Sequence, residues 1–551
     1  MGTLSIISFI GFTALVAIIA WYATRTTNES SANGFYLGGR SLGAVTIAGS
    51  LLLTNLSAEQ IVGLNGQAFT EGILVMAWET LAAIAMIFTA IVLLPKYMKS
   101  GITTIPQFIE NRFDQNTKAI LSLLFLFAYG LVLLPTILYS GSLAFSSMFD
   151  LPTLLGLSEN ATIWICVWSI GVIGSIYAIF GGLKAVAVSD LINAIGLLIG
   201  GILIPYFGLK LIGDGSLGEG LDILWKTNPE KFNLKGDVDA SIPFGTIFTG
   251  MILAQVYYWG TNQSILQRVF GAKSMAEGQK GVILAALVKF LIPVIVVLPG
   301  VISWHVFKGD LANADLAYPE LVQKVLPPSL LGFFAAVLFG AVLSSFNSLL
   351  NSSATLFGFD LYKQFFKKDA TEEQTVKAGK RFGIGLALVS LCIAPFIASA
   401  PDGLFAYIQE SLGSLSVPIL AVVVVGIYTK KVPALGAKIV LTAGVLMYLI
   451  SQFVISPIMV DGALAEAAAN GITDAKELSI IKAKAYPHFL HVMGILFVIN
   501  VGIMLLVGKL KPRTVFKEEV ITDEIDITPW KHALLAGGLI TLLVLSTYFI
   551  F

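Results

Sequence analysis

Glu79 stands in the run MAWETLAA and Lys289 in AALVKFLIPVIVVLPG, each surrounded by apolar residues. A carboxylate and an ammonium are costly inside such segments. Each offsets the other's burial if the two meet, directly or through a bound polyol. A second cluster, LLLTNLSAEQIVG at 51–63, crowds Thr54, Asn55, Ser57, Glu59 and Gln60 into seven positions. A third, TGMILAQVYYWGTNQSILQR, carries Gln255, Tyr257, Tyr258, Gly260, Thr261 and Asn262. Gln409 and Glu410 interrupt LFAYIQESLGSLSVP. Carboxylate, amide and ammonium groups beside aromatic rings suit a sugar, because a hydroxyl both donates and accepts. Ser344, Ser345, Asn347 and Ser348 in GAVLSSFNSLLNSS offer another chemistry. Neutral or weakly charged oxygens at a helix break suit a hard monovalent cation. Plainer readings exist for each feature taken singly: Lys289 snorkels to an interface, the polar clusters hold helices together, and the serines serve close packing.

The elements that must position these residues are membrane helices. Hydrophobic residues make up 56% of the 551 and charged residues 12%, with a mean hydropathy of +0.85. A soluble domain carries about 25% charged residues. Apolar runs fall near 4–23, 45–70, 73–94, 120–149, 161–181, 188–209, 243–264, 281–306, 329–360, 382–400, 404–428, 433–456, 486–508 and 531–550. Fourteen spans put both termini on one side of the bilayer. Alternate loops hold 24 of the 34 basic residues, Arg268 among them, and the opposite loops hold nine; Lys289 is left over. Basic residues stay in the cytoplasm, so both termini are expected outside. Leu4–Tyr22 lacks the basic start of a signal peptide and reads as a retained helix.

Other classes of function find little support. A net charge of +0 offers nothing to nucleic acid. Cys166 and Cys392 each fall in an apolar run, and His488 and His491 read as interfacial residues, so neither a disulfide framework nor a transition-metal site is expected. No phosphate loop or large hydrophilic region is present, so the chain is not expected to be an enzyme.

The interruptions at Asn55–Gln60 and at Gln255–Asn262 lie five spans apart. Helix breaks near the midplane free carbonyls for cations and N–H groups for solute, and they mark the sites of secondary transporters. Because five is odd, the second five spans enter with opposite polarity, which is an inverted repeat. The expected organisation is an N-terminal helix and cytoplasmic loop over 1–43, a first repeat over 44–210, an external loop over 211–242, a second repeat over 243–428 and accessory helices over 429–551.

The motifs NLSAEQ (55–60), YAIFGGLKAV (177–186), YYWGTNQSILQR (257–268), AYPELVQKVLPP (317–328), NSSATLFGFDLYK (351–363) and FAYIQE (405–410) occur in order along the chain. In these it resembles the sodium/solute symporter family, most closely its sodium–sugar branch. The resemblance implies an all-α polytopic membrane protein of about fourteen transmembrane helices, with a five-plus-five inverted-repeat core, discontinuous helices, one extra helix before the core and three after. It implies sugar contacts at Asn55, Gln60, Glu79, Lys289 and Gln409, with Tyr258 closing the cytoplasmic side. Leu64, Tyr139 and Phe405 would form the outer gate. Sodium would take the carbonyls of Leu53, Leu56 and Ala341 and the hydroxyls of Ser344 and Ser345. Sialic-acid members of the family imply a candidate second sodium site at Asp190, Ser344, Asn347 and Ser348. On a helix, Asn347 and Ser348 share a face with Ser344. Glu59 has no assigned ligand role; it orients the break.

Two departures bear on the solute. Ala82 and Gln255 stand where galactose-carrying members have a serine and an asparagine, which leaves another hexose, an amino sugar or inositol open. The expected function is therefore sodium-driven import of a sugar such as galactose or glucose by alternating access, through a bacterial-type cytoplasmic membrane and with no required protein partner. An anionic solute such as sialic acid would want an arginine, and none falls in the polar spans. A transporter-like sensor would carry a fused signalling domain, whereas the chain ends at Phe551 directly after the last run. A channel would show a continuous polar pore rather than two local breaks.

Overall fold

The structure is a computed structural model that describes residues 3–25, 32–180, 183–399, 404–514 and 525–550. Gly181 and Gly182 of the YAIFGGLKAV motif lie outside the described residues. Ten described helices are long and apolar enough to cross a membrane, or eleven when Met275–Leu291 and Pro293–Phe307, bent by 45°, count as one span. Two shorter apolar helices, Ala44–Asn55 and Ala533–Phe549, accompany them. The number of long helices is below the fourteen apolar runs, partly because helices continue across positions expected as loops. Ala58–Lys99 is one such stretch of 42 residues. Inside it, Gly72 turns the chain at φ 81°, and a Cβ there would stand 2.3 Å from the Lys231 carbonyl oxygen. That is a position for glycine.

Twelve helices build and flank the site: α1 (Thr3–Thr24), α2 (Ala44–Asn55), α3 (Ala58–Glu71), α4 (Ala77–Phe88), α5 (Leu134–Met148), α6 (Leu183–Ile212), α7 (Gly250–Thr261), α8 (Gln263–Phe270), α9 (Met275–Leu291), α10 (Pro328–Thr355), α11 (Leu404–Tyr428) and α12 (Phe489–Leu510). Prolines inside apolar stretches are absorbed locally. The π-helical turns Thr89–Leu93, Ala128–Leu133 and Ser451–Ile455 each end two residues before a proline, at Pro95, Pro135 and Pro457. Proline lacks the N–H of the regular ladder, and a wider turn before it accommodates the missing bond.

Two breaks interrupt the bundle where the polar clusters lie. Between α2 and α3, Leu56 (φ −82°, ψ 62°) and Ser57 (φ −90°, ψ −179°) leave helical geometry. Between α7 and α8, Asn262 (φ −73°, ψ 123°) does the same. Its side-chain oxygen caps α8 by accepting from the Ser264 N–H at 3.0 Å, and it also accepts the Tyr129 hydroxyl at 2.6 Å. Each break leaves the last carbonyls of one helix and the first N–H groups of the next without regular partners. Around the breaks, α2 packs against α6 and α9, α7 against α4, α11 and α12, and α8 against α2 and α10.

Candidate functional site

One cavity lies beside both breaks, and Asn55, Gln60, Glu79, Gln255, Tyr258, Lys289 and Gln409 all line it. Lys289 does not snorkel. Its ammonium, on α9, pairs with the Glu79 carboxylate on α4, and both side chains are 1% exposed. The same ammonium donates to Asn55 Oδ1 at the end of α2. Glu79 Oε1 accepts from Gln60 Nε2 at 2.6 Å, so each carboxylate oxygen has its own donor. The Trp259 ring lies 5.6 Å from the ammonium. A buried pair is tolerated when further hydrogen bonds complete it, and these amides do so. Gln255 Nε2 donates to the Trp78 carbonyl at 2.9 Å.

Two polar atoms of the lining are buried and close no hydrogen bond: Glu59 Oε2, an acceptor, and Trp78 Nε1, a donor. Neither residue was assigned to the solute from the sequence, although Glu59 sits in the same polar cluster as Gln60. Apart from Tyr257 and Ser416, the remaining lining is largely apolar and includes Ala82, Leu133, Phe405 and, from α12, Phe489, Leu490 and Met493. The α12 residues carry no signal in the sequence, being apolar residues in an apolar helix.

Of the expected gate residues, Phe405 and Tyr258 line the cavity; Leu64 on α3 and Tyr139 on α5 are buried outside its lining. Phe405 meets the Trp78 ring edge-on at 5.4 Å, and its Cβ would come within 2.8 Å of a Cβ added at Gly63. At the first residue of α11, Asp315 Oδ2 accepts the Leu404 N–H at 3.2 Å.

The expected cation ligands gather where α10 crosses the end of α2. Ser345 Oγ donates to the Thr54 carbonyl at 2.8 Å and lies 3.4 Å from the Leu53 carbonyl. Ser344 Oγ is buried and closes no hydrogen bond. Ala341 and Leu56 are buried as well. Within the candidate second set, Asp190 Oδ2 accepts from Ser50 Oγ at 2.6 Å, while Asp190 Oδ1 and both amide atoms of Asn347 are buried with no partner.

Arg268 corrects the sequence reading. Expected in a cytoplasmic loop, it is 1% exposed, on α8. Its guanidinium donates to the hydroxyls of Ser348 and Ser50 and to the Ser264 carbonyl. All eight residues of α8 are buried, so its polar character serves protein contacts rather than water. The expectation that no arginine lies among the polar spans fails here, yet Arg268 does not line the solute cavity.

Comparison with known proteins places this geometry. The profile of the sodium:solute symporter family matches residues 35–444. An uncharacterized symporter of Escherichia coli, YidK, is 42% identical over 551 residues, all of this chain and 91% of the relative. The sodium/glucose cotransporter of Vibrio parahaemolyticus is 33% identical over 82% of this chain and 86% of its own length. The human sodium/myo-inositol cotransporter is 28% identical over 77% of this chain and 63% of its own. In fold, the chain is similar to a sodium-coupled sialic acid symporter solved in a substrate-bound outward-open state, with a TM-score of 0.70 at 19% identity over 93% of this chain and 100% of the other. A profile match across most of the length, a full-length relative and two broken helices around one polar cavity agree: the chain belongs to the sodium:solute symporter family, with sodium as its coupling ion.

Proposed function

We propose that the chain imports a sugar, a hexose such as galactose or glucose, together with sodium by alternating access. The observation that carries this reading is the mixed hydrogen-bonding character of the cavity. It holds a paired carboxylate and ammonium, four amides, an unpartnered acceptor on Glu59 and an unpartnered donor on Trp78. Hydroxyl groups, which donate and accept at once, answer such a set, and the flanking aromatic rings suit a pyranose. The sugar contacts Asn55, Gln60, Glu79, Gln255, Lys289 and Gln409, with Tyr258 on the cytoplasmic side and Leu64, Tyr139 and Phe405 on the outer side. Sodium takes Leu53, Leu56, Ala341, Ser344 and Ser345. The helices over 44–210 and 243–428 act as inverted repeats within fourteen spans, and both termini face outward from a bacterial-type cytoplasmic membrane. Sodium binding at the α2–α10 crossing holds the first break in the shape that the sugar needs, and rocking of the repeats then releases both inward.

A second reading is a related polyol such as inositol or an amino sugar, favoured by Ala82 in the lining, which offers no hydroxyl to the solute. Sialic acid is disfavoured, because the arginine a carboxylate would want lies outside the cavity. Uptake of labelled sugars and inositol into proteoliposomes, with and without a sodium gradient, decides. Sodium-dependent accumulation of a hexose supports the proposal; accumulation of inositol alone replaces it.

A further inference from the structure

Arg268 is among the largest fully buried side chains of the protein, and the solute pocket does not use it. Its guanidinium sits where four helices meet. It reaches Ser348 on α10 and Ser50 on α2, and Ser50 in turn donates to Asp190 on α6. Ser348 Oγ is fully engaged, since Thr54 Oγ1 also lies 3.4 Å from it, whereas Ser50 Oγ keeps one lone pair. Ser50 Oγ accepts from Arg268 Nε at 3.1 Å and donates to Asp190 Oδ2 at 2.6 Å. Ser348 Oγ accepts from the Arg268 guanidinium and donates to the Ser344 carbonyl at 2.6 Å.

Charge leads to the same place. Asp190 and Arg268 bring one negative and one positive charge to a site without water contact. A sodium ion at Ser344 and Ser345 already leaves that neighbourhood with an excess positive charge. Another sodium among Asp190, Ser344, Asn347 and Ser348 would set three cations against one carboxylate in a poorly screened interior. Arginine keeps its charge at any working pH, so it cannot yield by losing a proton. It yields only if α8, the helix beyond the second break, moves.

We propose that Arg268 is a tethered cation that fills the place of a second sodium ion in this conformation, so that the chain binds one sodium ion while α8 is docked. The inference rests on the sodium site proposed above. A second sodium ion and the guanidinium then compete for one oxygen, Ser348 Oγ, and for the charge of Asp190, which Ser50 links to Arg268. An arginine on a movable helix thus sets the stoichiometry.

Equilibrium binding of radiolabelled sodium to the purified full-length chain tests this. The unaltered chain should bind one ion with a Hill coefficient of one. Arg268→Gln should bind two with a coefficient above one, and adding Asn347→Ala to it should restore one. Arg268→Lys, which keeps the charge, should bind one. Two ions on the unaltered chain, or one on a monodisperse Arg268→Gln variant, overturns the proposal. If Arg268→Gln does not fold, the unaltered chain and Arg268→Lys decide: one ion on both supports it, and two on either overturns it. Ser345→Ala separates the two readings. It should abolish binding to the unaltered chain, and if binding survives unchanged the first site is misplaced, whatever Arg268 does.

Discussion

The two short helices beyond the breaks, α3 and α8, are both packed into the protein, but they are sealed by different physics. The buried face of α3 is mostly apolar or small: Ile61, Val62, Gly63, Leu64, Gly66, Ala68 and Phe69. It seals by shape. Glycines let the backbone approach closely, and a Cβ at Gly63 would meet Phe405 while one at Gly66 would stand 2.8 Å from Asp315 Oδ1. By contrast, α8 seals by hydrogen bonds. Gln263 Oε1 accepts the Ile105 N–H at 2.8 Å. Gln267 Nε2 donates to the Tyr36 carbonyl at 3.0 Å and the Thr355 hydroxyl at 2.9 Å, while its Oε1 accepts from Ser352 at 2.9 Å. Opening an apolar seal exposes surface that water does not welcome. Opening a polar seal exchanges protein partners for water at a small net cost. The α8 half is thus the one built to take in water, which suits an inner gate on the proposed orientation.

The largest expected effect comes from the pair that sits between the two halves. Glu79→Ala strands the Lys289 ammonium, and Lys289→Ala strands the carboxylate. Each leaves a buried charge unpaired, at about 3–5 kcal/mol. Sodium-driven uptake should fall to background in both variants while the protein still elutes as a monodisperse species. Uptake at the unaltered rate would place the solute elsewhere.

The seals themselves come next. Gly63→Ala drives a methyl into Phe405 and should cost about 1–3 kcal/mol of fit on the α3 side. Labelling of a cysteine placed at Leu64 by an impermeant thiol reagent should accelerate, and uptake should drop by roughly the tenfold that 1.4 kcal/mol represents. Gln267→Ala removes four hydrogen bonds from α8, one of them the long contact from Gln263, but water can enter and replace them, so the loss should be smaller, about 1 kcal/mol. A cysteine at Ser264 should become more reactive while one at Leu64 should not. If both seals respond alike to both substitutions, the distinction between them fails.

This contrast also explains what could be read from the sequence. Charges and amides are conspicuous in apolar runs, so Glu79, Lys289, Asn55, Gln60 and both breaks were legible. Hydropathy cannot tell a polar segment facing water from one facing protein. The polar run that ends in Arg268 therefore read as the edge of a loop, although it is a fully buried helix. Lys231 shows the same ambiguity within a loop: it lies in the turn Pro229–Phe232, inside the expected external loop over 211–242. It is 5% exposed, and its ammonium donates to the Phe69 and Thr70 carbonyls near the end of α3. Such carbonyls lack amide partners, and a cation satisfies them. The α12 contribution to the cavity was invisible for the opposite reason, since an apolar residue facing a pocket looks like one facing lipid.

The smallest predicted effect probes the rim of the apolar seal. Asp315 lies on the short turn Ala314–Leu316, outside the apolar runs. Burial pushes its carboxyl up from 3.8 to about 6, and the Leu404 N–H only partly opposes that. Between these two values the folded chain holds a proton that the unfolded chain has lost. The folded state therefore binds more protons there, and stability falls as pH rises through that window. The full cost of the ionised form, at most about 3 kcal/mol, is present above pH 6 and is relieved on acidification toward 3.8. Asp315→Asn keeps an oxygen for Leu404 and removes the titration. In thermal unfolding at about pH 5 and about pH 7.5, the unaltered chain should lose roughly a degree or two more in Tm than the variant on going to the higher pH. Equal losses would mean that Asp315 ionises at no cost, and that the rim of α3 is wetter than its packing implies.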